Sequence, residues 1–256
     1  MNIKYILFQY LLISATLCNA NQLYDALADE DILKFQKILT SKTVNINEQD
    51  DQGYTILHFL IGLTEENDYT ITKMLIDAGA NPNIQDHWGN TPLHELIFFE
   101  DLFIDEDEPE LENIYKNLVN LYIQSMKDLN IINKAEETPL LRALIHQSYI
   151  AAKLLLTSSA NIDVNAQDDG MVTALDVAAM DNAVEIAKLL IDRGAHINNC
   201  DNHDHATALH YAILSDAFEV AQLLITSGAN VTIRDKFGFQ PYSYCKTKKM
   251  RDLFIK

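Results

Sequence analysis

Short apolar stripes with helical spacing recur along most of the chain. Between residues 184 and 190, Val184, Ile186, Ala187, Leu189 and Leu190 leave only two polar positions, which predicts one buried face of a helix. TKMLIDAGA, AKLLLTSSA and AQLLITSGA repeat that pattern at 72–80, 152–160 and 221–229. Gly79, Gly194 and Gly228 close three such stripes where helices end on a left-handed residue. A shorter stripe precedes most of them and opens on a threonine. Thr55, Thr91, Thr138, Thr173 and Thr207 lead, with Leu57, Leu93, Leu140, Leu175 and Leu209 two residues on. A threonine there accepts from the backbone N–H groups that a helix start leaves unbonded. Pro92 and Pro139 take the first helical position, where a missing N–H costs nothing. The pattern predicts pairs of short helices, each too small to bury its own face, so neighbouring pairs must stack.

These threonines lie 36, 47, 35 and 34 residues apart. Around them stand DQGYTILHFL, HWGNTPLHEL, EETPLLRAL, MVTALDVAA and HATALHYAI. In step run TKMLIDAGANPNIQD, AKLLLTSSANIDVNAQD, AKLLIDRGAHINNCD and AQLLITSGANVTIRD. The two series resemble the ankyrin repeat family, with its T-P-L-H-x-A signature, its L-L-x-x-G-A-x-x-N close and its period of about 33. The resemblance implies an all-α solenoid of helix–turn–helix units with finger turns, seven units over nearly all of residues 22–256. The first, from Leu23, lacks the T-P-L-H opening. The last, from Lys236, ends in a helix with five bases against one acid, Asp252, as a solvated cap does.

Some repeats depart from the family pattern. Gly53, Gly89 and Gly238 hold the turn glycine, but Glu136 replaces it, Gly170 falls one place early, and an extra residue enters around Asn202 to His205. Irregular turns are expected there. His58, His94 and His210 carry the signature imidazole, for which the resemblance implies a structural role, while Leu141 and Asp176 replace it elsewhere.

Composition narrows the function. With 48% hydrophobic residues the chain can bury a core, which excludes disorder along its whole length. A formal net charge of -18 repels phosphate backbones and anionic lipid, so nucleic acid is not an expected partner. Cys18, Cys200 and Cys245 fit neither a disulfide framework nor a metal spacing. Residues 1–20 read as a secretory signal peptide, with Lys4, an apolar run from Tyr5 to Ala15, and Cys18-Asn19-Ala20 before the cleavage point. That leaves 21–256 as the repeat domain. The run falls short of the roughly 20 residues a spanning helix needs, so no lasting membrane span is expected. Export is, to a periplasm or outside the cell, including into a host. Lipidation of Cys18 and an uncleaved first helix are the alternatives.

Residues 100–113, EDLFIDEDEPELEN, place eight carboxylates inside the long repeat, between its two helices. An exposed, extended insertion is expected, solvated or docking a basic partner, with Leu102, Phe103 and Ile104 either meeting that partner or packing back on the neighbouring helices. A calcium loop fails on spacing, because Glu110 falls where the turn needs glycine and Lys116 where a bidentate glutamate belongs. No nucleophile elbow, zinc-protease motif, phosphate loop or dinucleotide fingerprint occurs, so neither catalysis nor a cofactor is expected. The DNHDH stretch, Asp201 to His205, gives the alternative of a metal or small-ligand site.

What remains is surface. The resemblance implies a concave groove of finger turns and inner helices that takes a protein partner. By register its variable positions include Gln52, Tyr54, His87, Trp88, Asn90, Glu137, His203 and His205. Trp88, the only tryptophan, is expected at a fingertip, either anchoring a partner or packing on an adjacent finger. The expected partner has a basic or mixed face, and the protein itself is expected to be a monomer.

Overall fold

A computed structural model describes residues 21–28, 31–41, 43–60, 67–100 and 109–255 of the chain. The segment read as a signal peptide and most of the acidic stretch lie outside these residues. Among them the helices come in seven pairs, the number of units expected. They are α1 (Asn21–Ala28) with α2 (Ile32–Ser41), α3 (Ile56–Phe59) with α4 (Asn67–Asp77), and α5 (Pro92–Phe98) with α6 (Pro109–Ser125). Next come α7 (Pro139–Ile145) with α8 (Tyr149–Thr157), α9 (Ala174–Met180) with α10 (Val184–Asp192), and α11 (Ala208–Leu214) with α12 (Phe218–Thr226). A 3-10 turn (Pro241–Tyr244) with α13 (Lys248–Asp252) forms the last.

The predicted threonines start the inner helices. Thr55, Thr91, Thr173 and Thr207 each form a capping box with the residue three places on, and Thr138 Oγ1 accepts from the Leu141 N–H at 3.2 Å. Gly79, Gly194 and Gly228 follow the outer helices with positive φ, as left-handed caps.

The described residues fall into two compact units, parted between Lys134 and Ala135. In the first, α3 packs on α5 and α4 on α6. Its core gathers Leu23, Phe35, Leu57, Leu60 and Leu75, while α6 buries Tyr115 and Tyr122 completely. In the second unit the inner helices α7, α9 and α11 lie side by side, and so do the outer helices α8, α10 and α12. Fully buried Ala143, Ala152, Ala178, Ala187, Ala212 and Ala221 let these helices approach closely. No helix among the described residues is long and apolar enough to cross a membrane.

The acidic stretch is not one extended excursion at its two ends. Glu100 is buried, and residues 109–113 already belong to α6. Pro109 starts that helix, Glu110 and Glu112 sit in its first turn against the positive end of its dipole, and Leu111 turns into the core. Glu112 also pairs with Lys116 one turn on. Carboxylates that looked loop-like in sequence thus favour a helix start.

Candidate partner-binding surface

Each well-formed finger is a short turn wound around one aspartate. Asp50 Oδ1 accepts from the backbone N–H groups of Gln52 and Tyr54, at 2.8 and 2.9 Å. Asp86 does the same for Trp88 and Asn90, both at 2.8 Å, and Asp168 for Gly170 and Val172, both at 2.9 Å. Asp235 repeats it with Phe237 and Phe239, both at 2.9 Å. The fifth finger has one residue more, and Asp201 spreads its bonds over His203, Asp204 and Ala206. Such charge-assisted bonds to successive N–H groups fix a turn more firmly than neutral ones. For Asp201, burial raises the carboxyl pKa, but its N–H donors and the Tyr211 hydroxyl outweigh that and hold it below the usual range.

The residue two places before each capping position is left-handed: Gly53, Gly89, Glu136, Met171, His205 and Gly238 all have positive φ. Irregularity expected at the third and fourth fingers is therefore absent from the backbone path. Met171, not Gly170, takes the left-handed place, and its finger closes with the same bond, Met171 N–H to Asp168 O at 2.9 Å, as Gly89 N–H to Asp86 O at 3.0 Å. Only the fifth finger is wider, because of its extra residue.

Neighbouring fingers are tied by backbone bonds. His87 N–H donates to Gln52 O at 2.8 Å and Lys134 N–H to Trp88 O at 2.9 Å in the first unit. In the second, Asn202 N–H donates to Gly170 O and Lys236 N–H to Asp204 O. The imidazoles add cross-links. His58 Nδ1 accepts from the Thr55 N–H at 3.0 Å, which puts the ring proton on Nε2, and Nε2 donates to Asn90 O at 3.2 Å. His210 bonds Thr207 and Phe239 O in the same way. Burial lowers the His58 pKa to about 4, so the ring stays neutral, as its structural role requires. Where Asp176 replaces the histidine, its carboxylate accepts from the Thr173 N–H at 2.8 Å and hydroxyl at 2.7 Å, and burial pushes it up to about 6.

The predicted surface residues divide. Gln52, His87, Trp88, His203 and His205 are exposed and Tyr54 is half-buried. Asn90 is not available to a partner. It is buried, its amide donating to Glu95 at 2.7 Å and accepting from Asn133 at 3.0 Å. Glu137 is committed too, in an ion pair with Arg142 at 3.0 Å in which both side chains are mostly covered. Trp88 is 50% exposed and packs on Tyr54 of the preceding finger, with ring centroids 5.8 Å apart. In the DNHDH stretch, Asp201 spends its oxygens on three N–H groups and the Tyr211 hydroxyl. Among the described residues, no group of three or more acidic, histidine or cysteine side chains is placed to hold a metal ion.

Sequence reasoning missed the frame aspartates, although one stands five residues before the capping position in four fingers and six before it in the fifth. It also left out of the surface set Phe237, a turn residue of the last unit that is 63% exposed at the register of Trp88.

Family profiles of ankyrin repeats match the chain, one described as "Ankyrin repeats (3 copies)" at residues 111–201 and 173–235 and one as "Ankyrin repeats (many copies)" at 63–103. No curated protein sequence matches it. Among solved structures, the ankyrin repeat domain of Bcl-3, a member of the IkappaB protein family, is similar with a TM-score of 0.72 at 20% identity, over 92% of this chain and 98% of that one. The ankyrin repeat protein EF0377 gives 0.63 at 26% identity, over 83% and 99%. The human ASB11 ankyrin repeat domain gives 0.59 at 22%, over 91% and 96%. With its repeats matched by those profiles and its fold by those domains, the chain belongs to the ankyrin repeat family.

Proposed function

We propose that this protein is exported and acts by binding a protein partner along its finger tips and inner helices, without catalysing a reaction itself. Ankyrin repeats are in general protein–protein interaction modules. The observation that carries the reading here is Trp88: a large aromatic side chain, half in solvent, on a turn already fixed by Asp86 and by the next finger. An aromatic held in place before binding loses little freedom when it is covered, which is the usual character of an interface anchor. Gln52, Tyr54 and His87 accompany it, and His203 and His205 offer the corresponding surface of the second unit. The net charge of -18 favours a partner with a basic or mixed face. Buried imidazoles bonded on both nitrogens, as in His58 and His210, support a structural over a catalytic use.

The test is affinity capture from native extracts with Trp88→Ala beside the parent protein. Partner recovery is expected to fall about tenfold or more with an unchanged helical spectrum. Equal recovery by both proteins would sink the reading. Export rests on residues 1–20 and is read by the intact mass of the protein outside the cytoplasm, where a species beginning at Asn21 is expected. A full-length cytoplasmic species would overturn it.

A further inference from the structure

The second finger differs from its neighbours in what surrounds the aromatic tip. Trp88 and Tyr54 form an open corner, their planes inclined by 33°. Carboxylates stand close behind it. Asp50 bonds the backbone of Tyr54, Asp86 that of Trp88 and Asn90, and Glu95 accepts from the Asn90 amide at 2.7 Å. After burial, the charges of Glu95, Asp86 and Asp50 are what raise the Tyr54 hydroxyl pKa, so their field reaches this ring. Aromatic faces are themselves electron-rich, and a cation over them is attracted by ring and carboxylate together.

The sixth finger provides an internal comparison. There Phe237, also three places before the capping position, carries its own cation. Lys236 Nζ lies 5.0 Å from the ring centroid, held by the His203 carbonyl at 2.7 Å and by the Asp204 carboxylate. Before Trp88 the residue is His87, and among the described residues the cation–ring contacts are those of Phe237 and Phe218. Lys134 of the next finger bonds Trp88 through its backbone and has its side chain in solvent.

We propose that the Tyr54–Trp88 corner is the subsite for a basic side chain, arginine or lysine, of a peptide segment in the partner, with Glu95 as its counter-charge. The proposal rests on the partner-binding reading and specifies what the partner must present.

Because Trp88 is the only tryptophan, its fluorescence reports on this corner alone. The probes are heptapeptides in a Gly-Ser background with a central arginine, lysine or glutamine. The basic peptides are expected to quench Trp88 saturably and bind about two- to fivefold more tightly than the glutamine peptide. That preference should shrink in high salt and in Glu95→Gln, which keeps the oxygen that Asn90 bonds. Equal binding of arginine and glutamine peptides, or a preference untouched by Glu95→Gln, would overturn the proposal. If Trp88→Ala abolishes partner capture while the peptides bind alike, the interface stands and the cation subsite falls. If basic peptides are preferred while partner capture survives Trp88→Ala, the subsite stands and the functional reading falls.

Discussion

The second and fourth fingers make the same turn from different residues. Gly89 holds the left-handed place in one at φ +78°, and Met171 holds it in the other at +58°. In both, a buried or half-buried aspartate closes the turn with a pair of bonds to N–H groups two and four residues on. The shared element is the aspartate, so the carboxylate, more than the glycine, sets the path of the chain. The two places differ in their surroundings. A Cβ on Gly89 would stand 2.9 Å from Lys134 N and 3.0 Å from Asn133 Cα, whereas the Met171 side chain reaches solvent. Glycine is required where the next finger crowds the turn, and is only preferred where it does not.

The largest effect should come from removing the shared element. Asp86→Ala is expected to cost about 4 kcal/mol, since two charge-assisted bonds are lost and two N–H groups of a buried turn lose their acceptor. Urea unfolding measures it, and a loss below about 1 kcal/mol would mean that stacking alone shapes the finger. Gly89→Ala comes next, at roughly 2–3 kcal/mol, from left-handed strain and the clash with the third finger together.

The capping boxes extend the comparison to pH. Burial raises the Asp176 carboxyl to about 6 from 3.8, against the Thr173 bonds that pull it down. Since the folded pKa is the higher one, protonation favours the folded state. Its contribution is full below the unfolded pKa and is lost as pH rises through about 6. Relative to the parent, Asp176→Asn should therefore gain roughly 2 kcal/mol of stability between about pH 4 and pH 7, with the oxygen that Thr173 needs retained. Melting curves across that range check it, and parallel curves for the two proteins would refute it. The smallest effect is Met171→Gly, expected to stabilise by about 1 kcal/mol at most, because the relief of strain is partly offset by a freer unfolded chain.

Much of this was legible in the sequence. Helix starts were marked by Thr91-Pro92 and Thr138-Pro139, whose chemistry is local, and helix ends by glycines that must be left-handed. The seven pairs followed from a period that any register shift would have broken. The site was less legible, because exposure depends on contacts between repeats. Asn90 and Glu137 looked as variable as Gln52, yet Asn90 is bracketed by Glu95 and Asn133, and Glu137 is drawn down onto Arg142. The regular turn at Met171 could not be read from residue type, since a left-handed methionine signals strain while the bonds that offset it come from Asp168, a position whose role the residue pattern did not mark.

In five of the fingers the frame is made of backbone N–H groups and one carboxylate, so the tip side chains contribute little to the turn itself. Gln52, Trp88, Lys134 and His203 can drift under mutation at little cost, while Asp50, Asp86, Asp168, Asp201 and Asp235 cannot. Heritable change is thereby channelled to the surface. A lineage carrying this scaffold can exchange one partner for another through a few tip substitutions without passing through an unfolded ancestor.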